Sequence, residues 1–336
     1  MRNTHFGFWI KKIENRKPAL RTTFMGNIVK NRRRLLFLVA IVSRASLALP
    51  QTGSTAEPVN VFVVNYPLKF FTERIGGEQV RATFPAPPDV DPAYWVPDIA
   101  AITEYQQANL IVLNGAGYAK WVEKVSLPRA RTVNTSRRFK DRYIILEGAV
   151  THSHGPKGEH AHGDVAFTTW LDFWLAARQA EATAEALSRK FPEHRETFTK
   201  NLALLQDELK ALDSAARKLV GKNRDQPLVV SHPVYDYLAR AYGMNIRSVH
   251  WEPDEVPDGR QWMELQEILR EHAADWMLWE GAPDPETVSK LKSIGITSVV
   301  FDPCGNVPES GNFLSVMEQN IRNLEDVYGP INKNKE

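Results

Sequence analysis

The sequence predicts an α/β protein made of two open, mostly parallel-sheet lobes joined by one long backbone helix. Three observations carry this reading. Short β-like runs alternate with helix-patterned segments over residues 59–134, and the same alternation returns over 227–303. Between the two halves an apolar stripe at helical spacing runs without Pro or Gly from Glu193 to Val220. Alternating strand and helix signals mark βα units, whose strands lie parallel. A chain of 336 residues also exceeds one ordinary domain.

In the first half the strand signals are "VNVFVVN" (59–65), "QVRAT" (79–83), "NLIVLNG" (109–115) and "RTVN" (131–134). "YPLKFFTERIGG" reads as a helix stopped by Gly76 and Gly77, and "DIAAITEYQQA" (98–108) as a helix before the third strand. The second half gives strands "PLVVSH" (227–232), "IRSVHW" (246–251), "DWMLWE" (275–280) and "TSVVFDP" (297–303). Its helices are "PVYDYLARAYG", "GRQWMELQEILREHA" and "DPETVSKLKSIG".

The stripe joining the halves is Phe198, Leu202, Leu205, Leu209, Leu212, Ala216 and Leu219. These alternate four and three apart, one face of a continuous helix. At 1.5 Å per residue the element is roughly 40 Å long. Phe173, Ala177, Ala180, Ala184 and Leu187 carry similar spacing just before it. A helical hairpin packed on one sheet is the alternative arrangement. The resulting boundaries are 1–56 for a basic extension and signal peptide and 57–192 for the first lobe, with a histidine-rich loop at 152–163. The interdomain helix then takes 193–222 and the second lobe 223–330.

Charge is unevenly spread. Residues 1–56 hold 11 Lys or Arg against the single acid Glu14, so the other 280 residues hold 31 basic against 39 acidic. An acidic body is unsuited to nucleic acid, which needs a positive face to neutralise phosphates. The stretch "NRRRLLFLVAIVSRASLALPQTGSTAEP" runs charged, apolar, then small, the order of a secretory signal. Its apolar run, Leu35 to Val42, is too short for a membrane span. The single cysteine, Cys304, excludes an internal disulfide and thiolate metal clusters. No cysteine follows the apolar run, so no lipid anchor is expected. A soluble periplasmic protein is the expectation.

In open α/β sheets ligands sit beyond the carboxyl ends of the strands. The second half offers His232, His250, Glu280 and Asp302 at such ends, and the first half Asn65, Asn114 and Asn134. Imidazole with carboxylate suits Zn²⁺ or Mn²⁺, imidazole favouring zinc. "THSHGPKGEHAHG" (151–163) adds His152, His154, His160 and His162 on what reads as a flexible, exposed loop. Neither a nucleophile elbow, a phosphate loop, H-E-x-x-H nor a paired-cysteine motif is present, so no catalytic residues are assigned.

Several stretches together resemble the zinc and manganese substrate-binding proteins of ABC importers, the cluster with a rigid interdomain helix. They are "VNVFVVNYPLKFFTERIGGEQVRATFPAPPDVDP", "ANLIVLNGAGYAKWVEK", "TWLDFWLAARQAEATAEAL", "SHPVYDYLARAYGM" and "VVFDPCG", in that order over residues 57 to about 325. The resemblance implies a cation held by four side chains, mainly histidines and acids. His232 and Asp302 match two of those positions. Ala93 and Thr168 stand where the resemblance leads one to expect histidines. Neither a methyl group nor a lone hydroxyl replaces an imidazole, and zinc in a protein-only site takes about four donors.

The expectation is therefore a binding protein, not an enzyme. It captures a divalent transition metal, zinc with Mn²⁺ as alternative, between the lobes and delivers it to an ABC permease, acting as a monomer. His232 and Asp302 are direct ligands, with His160 and His162, then His154 and His152, completing the set. Glu280 orients His232 or binds directly. The alternatives are a metal-dependent hydrolase with an open zinc position, a binder of a chelated metal or small organic ligand against Tyr94, Trp95 and Trp251, and an adhesin-like or chaperone role.

Overall fold

The computed structural model describes residues 57–88, 90–146 and 165–329, together with the backbone of 151–153 and 159–161. The signal-like head, His154, His162 and the side chains of His152 and His160 lie outside the described residues.

The first half builds a sheet from β1 (Val59–Val63), β2 (Val80–Thr83), β3 (Leu110–Leu113) and β4 (Thr132–Asn134). Its spatial order is β2-β1-β3-β4, and every pairing is parallel. Helices α1 (Tyr66–Gly76), α2 (Ile99–Gln107) and α3 (Phe173–Lys190) belong to this half. Their starts follow local chemistry. The side chains of Asn65, Asp98 and Asp172 each accept a first-turn backbone N–H, replacing bonds the helix cannot make for itself. Between β4 and α3 lie two short strands, β5 (Thr151–Ser153) and β6 (Glu159–Ala161), paired antiparallel. The segment expected as a flexible loop is thus a β-ladder at its two flanks. Backbone pairing supplies an order that a count of Gly and Pro does not reveal.

The second half repeats the scheme with β7 (Pro227–Val230), β8 (Asn245–Ser248), β9 (Trp276–Trp279) and β10 (Thr297–Val300). The order β10-β9-β7-β8, again wholly parallel, is that of the first sheet read from the other edge. Helices α5 (Asp236–Tyr242), α6 (Gly259–Glu271) and α7 (Pro285–Ser293) join these strands. Two further helices, α8 (Phe313–Asn323) and α9 (Glu325–Tyr328), follow β10 and have no counterpart among the sequence expectations.

Helix α4 (Arg195–Val220) has 26 residues, about 39 Å at 1.5 Å per residue. Phe198, Leu205, Leu209, Leu212, Ala216 and Leu219 are buried along it, while Leu202 is half-buried. It packs on α1 and α3 of the first half and on α5, α8 and α9 of the second. The hairpin and the bridge are therefore both real. α3 and α4 form the hairpin, turning at Pro192–His194, and α4 alone carries on across both halves. Polar ties fix its rotation. Arg74 of α1 donates two bonds to Glu208, at 2.9 and 2.7 Å, and Asn201 donates to the Ile75 carbonyl at 3.0 Å. One continuous apolar cluster results, running from Val61 and Ile111 through Leu205 and Leu209 to Leu228 and Phe301.

Leu209→Ala should remove about 2–5 kcal/mol of stability, since its side chain is fully buried in that shared cluster. Denaturant unfolding followed by fluorescence and by circular dichroism should still give one coincident transition, because the helix serves both sheets.

Candidate metal centre

Sheet order decides where a ligand can sit. In each sheet one central strand sends its connection to one side and its neighbour sends its own to the other. A crevice opens at their carboxyl ends. The central pair is β1 and β3 in the first sheet and β7 and β9 in the second.

At the first of these points stand Asn65 and Asn114, both buried. The Asn65 side chain donates to Asn114 Oδ1 at 3.3 Å. Gln179 donates to the same oxygen at 2.9 Å and to Thr135 Oγ1 at 3.0 Å, and Thr169 donates to Gln179 Oε1 at 3.1 Å. Asn114 Nδ2 donates to the Phe167 carbonyl at 2.9 Å. Gly115 follows with φ of +78°, and a Cβ there would run into Ser136 and Asn134. This crevice is closed by a neutral amide network whose oxygens are already engaged.

The second point is chemically different. His232 follows β7 and Glu280 follows β9, so the central strand pair presents an imidazole beside a carboxylate. His232 is buried, with its Nε2 3.6 Å from Glu252 Oε1 and its ring 5.7 Å from that of His250. Glu280 is half-buried as a whole, but its carboxyl group is enclosed by protein. Burial first, then the Glu252, Asp91 and Asp302 carboxylates, push its pKa well above the ordinary glutamate value. Asp302, beyond β10, is raised by burial and partly held down by the Cys304 N–H, which donates to its Oδ1 at 2.6 Å. The Asn320 side chain clamps the Asp302 backbone from both sides, at 3.0 and 2.7 Å. Tyr235 donates to the Phe301 carbonyl at 2.8 Å, locking the loop after His232 onto the end of β10.

The first half closes over these groups. Asp91 contributes a carboxylate whose charge acts on both Tyr94 and Glu280. Tyr94 is raised by burial, then by Asp91, Glu280 and Glu252. Thr168, the position expected for an imidazole, is buried and donates to the Val234 carbonyl at 2.6 Å, two residues past His232. Ala93 is also buried. Trp170 Nε1 donates to the Pro303 carbonyl at 2.7 Å, and Asn306 of the second half donates to the Pro87 and Val90 carbonyls at 2.7 and 2.9 Å. Asp91 of the first half and Glu252 and Asp302 of the second thus crowd Glu280 between hydrogen-bonded walls.

The model of the ZnuA family, described as zinc-uptake complex component A, periplasmic, matches residues 61–327. The chain belongs to that family. The zinc-binding lipoprotein AdcA of Streptococcus pneumoniae is 26% identical over 310 residues, covering 88% of this chain. The chain spans about three fifths of that relative's length, 61%. The metal ABC transporter substrate-binding lipoprotein ScbA of Streptococcus cristatus is 26% identical over 87% of this chain and 96% of its own. Among solved structures, the metal-dependent lipoprotein YcdH of Bacillus subtilis superposes with a TM-score of 0.69 at 22% identity, over 80% of this chain and 99% of its own. The Zn(II)-bound ZnuA-like domain of S. pneumoniae AdcA gives 0.69 at 22% identity, over 81% and 100%. These likenesses show the two-lobed fold.

Within this ZnuA-family chain the expected residues separate. His232, Glu280 and Asp302 all stand at carboxyl ends of strands of one sheet. His250 lies two residues past β8, its ring against His232. His152 and His160 are Cα partners across the β5–β6 ladder, so one register position holds both. Trp251, expected as a wall of the crevice, is instead fully buried in the second half's own core with Trp262 and Trp279, at ring separations of 4.8 and 6.1 Å. Trp95 packs on Trp121 at 6.4 Å, while Tyr94 is acted on by the Asp91, Glu280 and Glu252 carboxylates. Sequence reasoning missed Asp91 and Glu252. Both sit in Pro-rich turns, "DVDPA" and "HWEPDEV", with no strand end to flag them. Among the described residues, no three His, Cys, Asp or Glu side chains are gathered tightly enough to hold a metal ion.

A carboxyl whose folded pKa is raised binds a proton that the unfolded chain has already released. Stability therefore falls as pH rises from about 4.3, the unfolded glutamate value, towards the folded one. In metal-free protein, Glu280→Gln should raise the unfolding midpoint at pH 7 and flatten its decline above about pH 5. Thermal melts across pH 4–8 check this, and an unchanged slope would refute the assignment of Glu280 as the buried acid.

Proposed function

We propose that this chain is the extracytoplasmic binding component of a zinc importer. It takes the cation as cargo into the crevice between its lobes and hands it to the permease of an ABC transporter. The observation that carries this is the placing of His232 and Glu280 just past the carboxyl ends of the paired strands β7 and β9, at the switch point of the second sheet, with Asp302 just past β10. Imidazole and carboxylate are donor types that suit zinc and, as alternative, Mn²⁺, and binding would have to draw these three side chains closer together. Family membership supports the same reading.

His232 and Asp302 bind directly, and Glu280 either binds or orients His232. The loop supplies the remaining imidazoles, from His160 and His162 first and from His154 and His152 as accessories. The register that sets His152 opposite His160 favours paired capture of a cation on this hairpin. The chain works by binding and release, without chemistry on its cargo. The basic head directs export, and the protein acts as a monomer. Among the described residues no helix is long and apolar enough to cross a membrane.

Competitive zinc titration tests the site. A four-donor protein site binding at roughly 10–16 kcal/mol gives each donor about 3 kcal/mol, so His232→Ala should weaken zinc by about a hundredfold. His160→Ala/His162→Ala should weaken it similarly if the loop completes the site, and unchanged affinity would remove the loop from the ligand set. Unchanged affinity in His232→Ala would overturn the whole reading. Metal analysis of protein recovered from its own compartment separates zinc from manganese.

A further inference from the structure

We propose that a basic face centred on Trp174 docks this protein against anionic phospholipid headgroups. It is built from the 137–142 segment, the start of α3, and Arg240 of α5. The face draws on both halves of the molecule. Arg142 lies over the Trp174 ring at 4.6 Å and Arg178 lies against the same ring at 4.9 Å. Arg240 donates to the Arg142 carbonyl at 2.6 Å and covers Tyr237 at 5.0 Å. Arg137, Arg138 and Lys140 continue the patch, all exposed.

Six basic residues therefore gather near five acids, Asp141, Asp172, Glu181, Glu185 and Asp236. Only two of the six are consumed locally, in the pairs Arg138–Glu185 at 2.6 Å and Arg178–Glu181 at 2.7 Å. Arg137, Lys140, Arg142 and Arg240 have no carboxylate within ion-pair distance among the described residues. This stands against a body in which acids outnumber bases 39 to 31. An anionic surface would repel most of the molecule and attract this face, which fixes an orientation.

The chemistry of the face matches phosphate esters at a bilayer surface. Guanidinium forks bind phosphate bidentately. Indole rings settle at the headgroup level, where one edge is apolar and the other wet. Trp174 is 41% exposed although flanked by two guanidinium groups, and Ile145, three residues beyond Arg142, is 65% exposed. An acidic protein loop is the other anion that fits the charges. It has less use for an exposed indole and isoleucine beside them.

Vesicle flotation with the full chain tests the proposal, independently of any metal. Each basic residue near an anionic leaflet contributes about fivefold in partitioning. Arg137 and Lys140 are exposed and make no side-chain hydrogen bond or ion pair among the described residues, so Arg137→Glu/Lys140→Glu should fold normally. It should lose at least a hundredfold of binding to phosphatidylglycerol vesicles, with little change on phosphatidylcholine. The control Lys200→Glu/Lys210→Glu on α4, an equal charge change, should lose only a few-fold. Equal losses in the two variants would show that binding is diffuse or belongs to the basic head, and would overturn the proposal. So would unaltered vesicle binding combined with weakened crosslinking to the permease, which would assign the face to a protein partner. Trp174→Ala, which leaves charge alone, should weaken vesicle binding, and no change would remove the indole from the contact.

Discussion

Everything in this molecule depends on the apolar face of α4. Phe198, Leu205, Leu209, Leu212, Ala216 and Leu219 form one stripe that neither half buries alone. α1 and α3 cover part of it from the first half, and α5, α8 and α9 cover the rest from the second. Because a single rigid element holds both sheets, the carboxyl ends of their strands meet at fixed separation. Burial of that stripe thus does more than stabilise. It sets the geometry of the crevice in which His232, Glu280 and Asp302 face Asp91 and Tyr94.

The two sheets share a strand order but not a chemistry. At the first switch point the amides of Asn65, Asn114 and Gln179 satisfy one another and leave a neutral wall. At the second, several carboxylates and two imidazoles are crowded together in a place where burial makes charge costly. Such an arrangement is unfavourable for stability taken alone, because like charges and desolvation both raise the carboxyl pKa values.

The places where this chain departs from its family are filled, not hollow. Thr168 spends its hydroxyl on the Val234 carbonyl, and Ala93 is packed against the first half's core. Each substitution exchanges a donor for a wall contact. Glu252 stands beside His232, with its Oε1 3.6 Å from the imidazole Nε2. Hydrogen bonds from Trp170, Thr168 and Asn306 across the halves hold those walls together.

By itself the sequence determined the alternation of strands and helices, the long bridging helix and the three strand-end side chains His232, Glu280 and Asp302. Each of these is written in local periodicity or in the residue that follows an apolar run, and both are short-range properties of a chain. It did not reveal α8 and α9, whose helical stripes gain meaning only from α4 against which α8 packs. Only the tertiary structure decided that Asp91 and Glu252 join the site, that Trp251 belongs to a core and that Thr168 is a tie between halves. These facts concern pairs far apart in the chain, brought together by sheet order and by the burial of one helix face. No local pattern encodes such a meeting, because its driving force is the apolar area shared by distant segments.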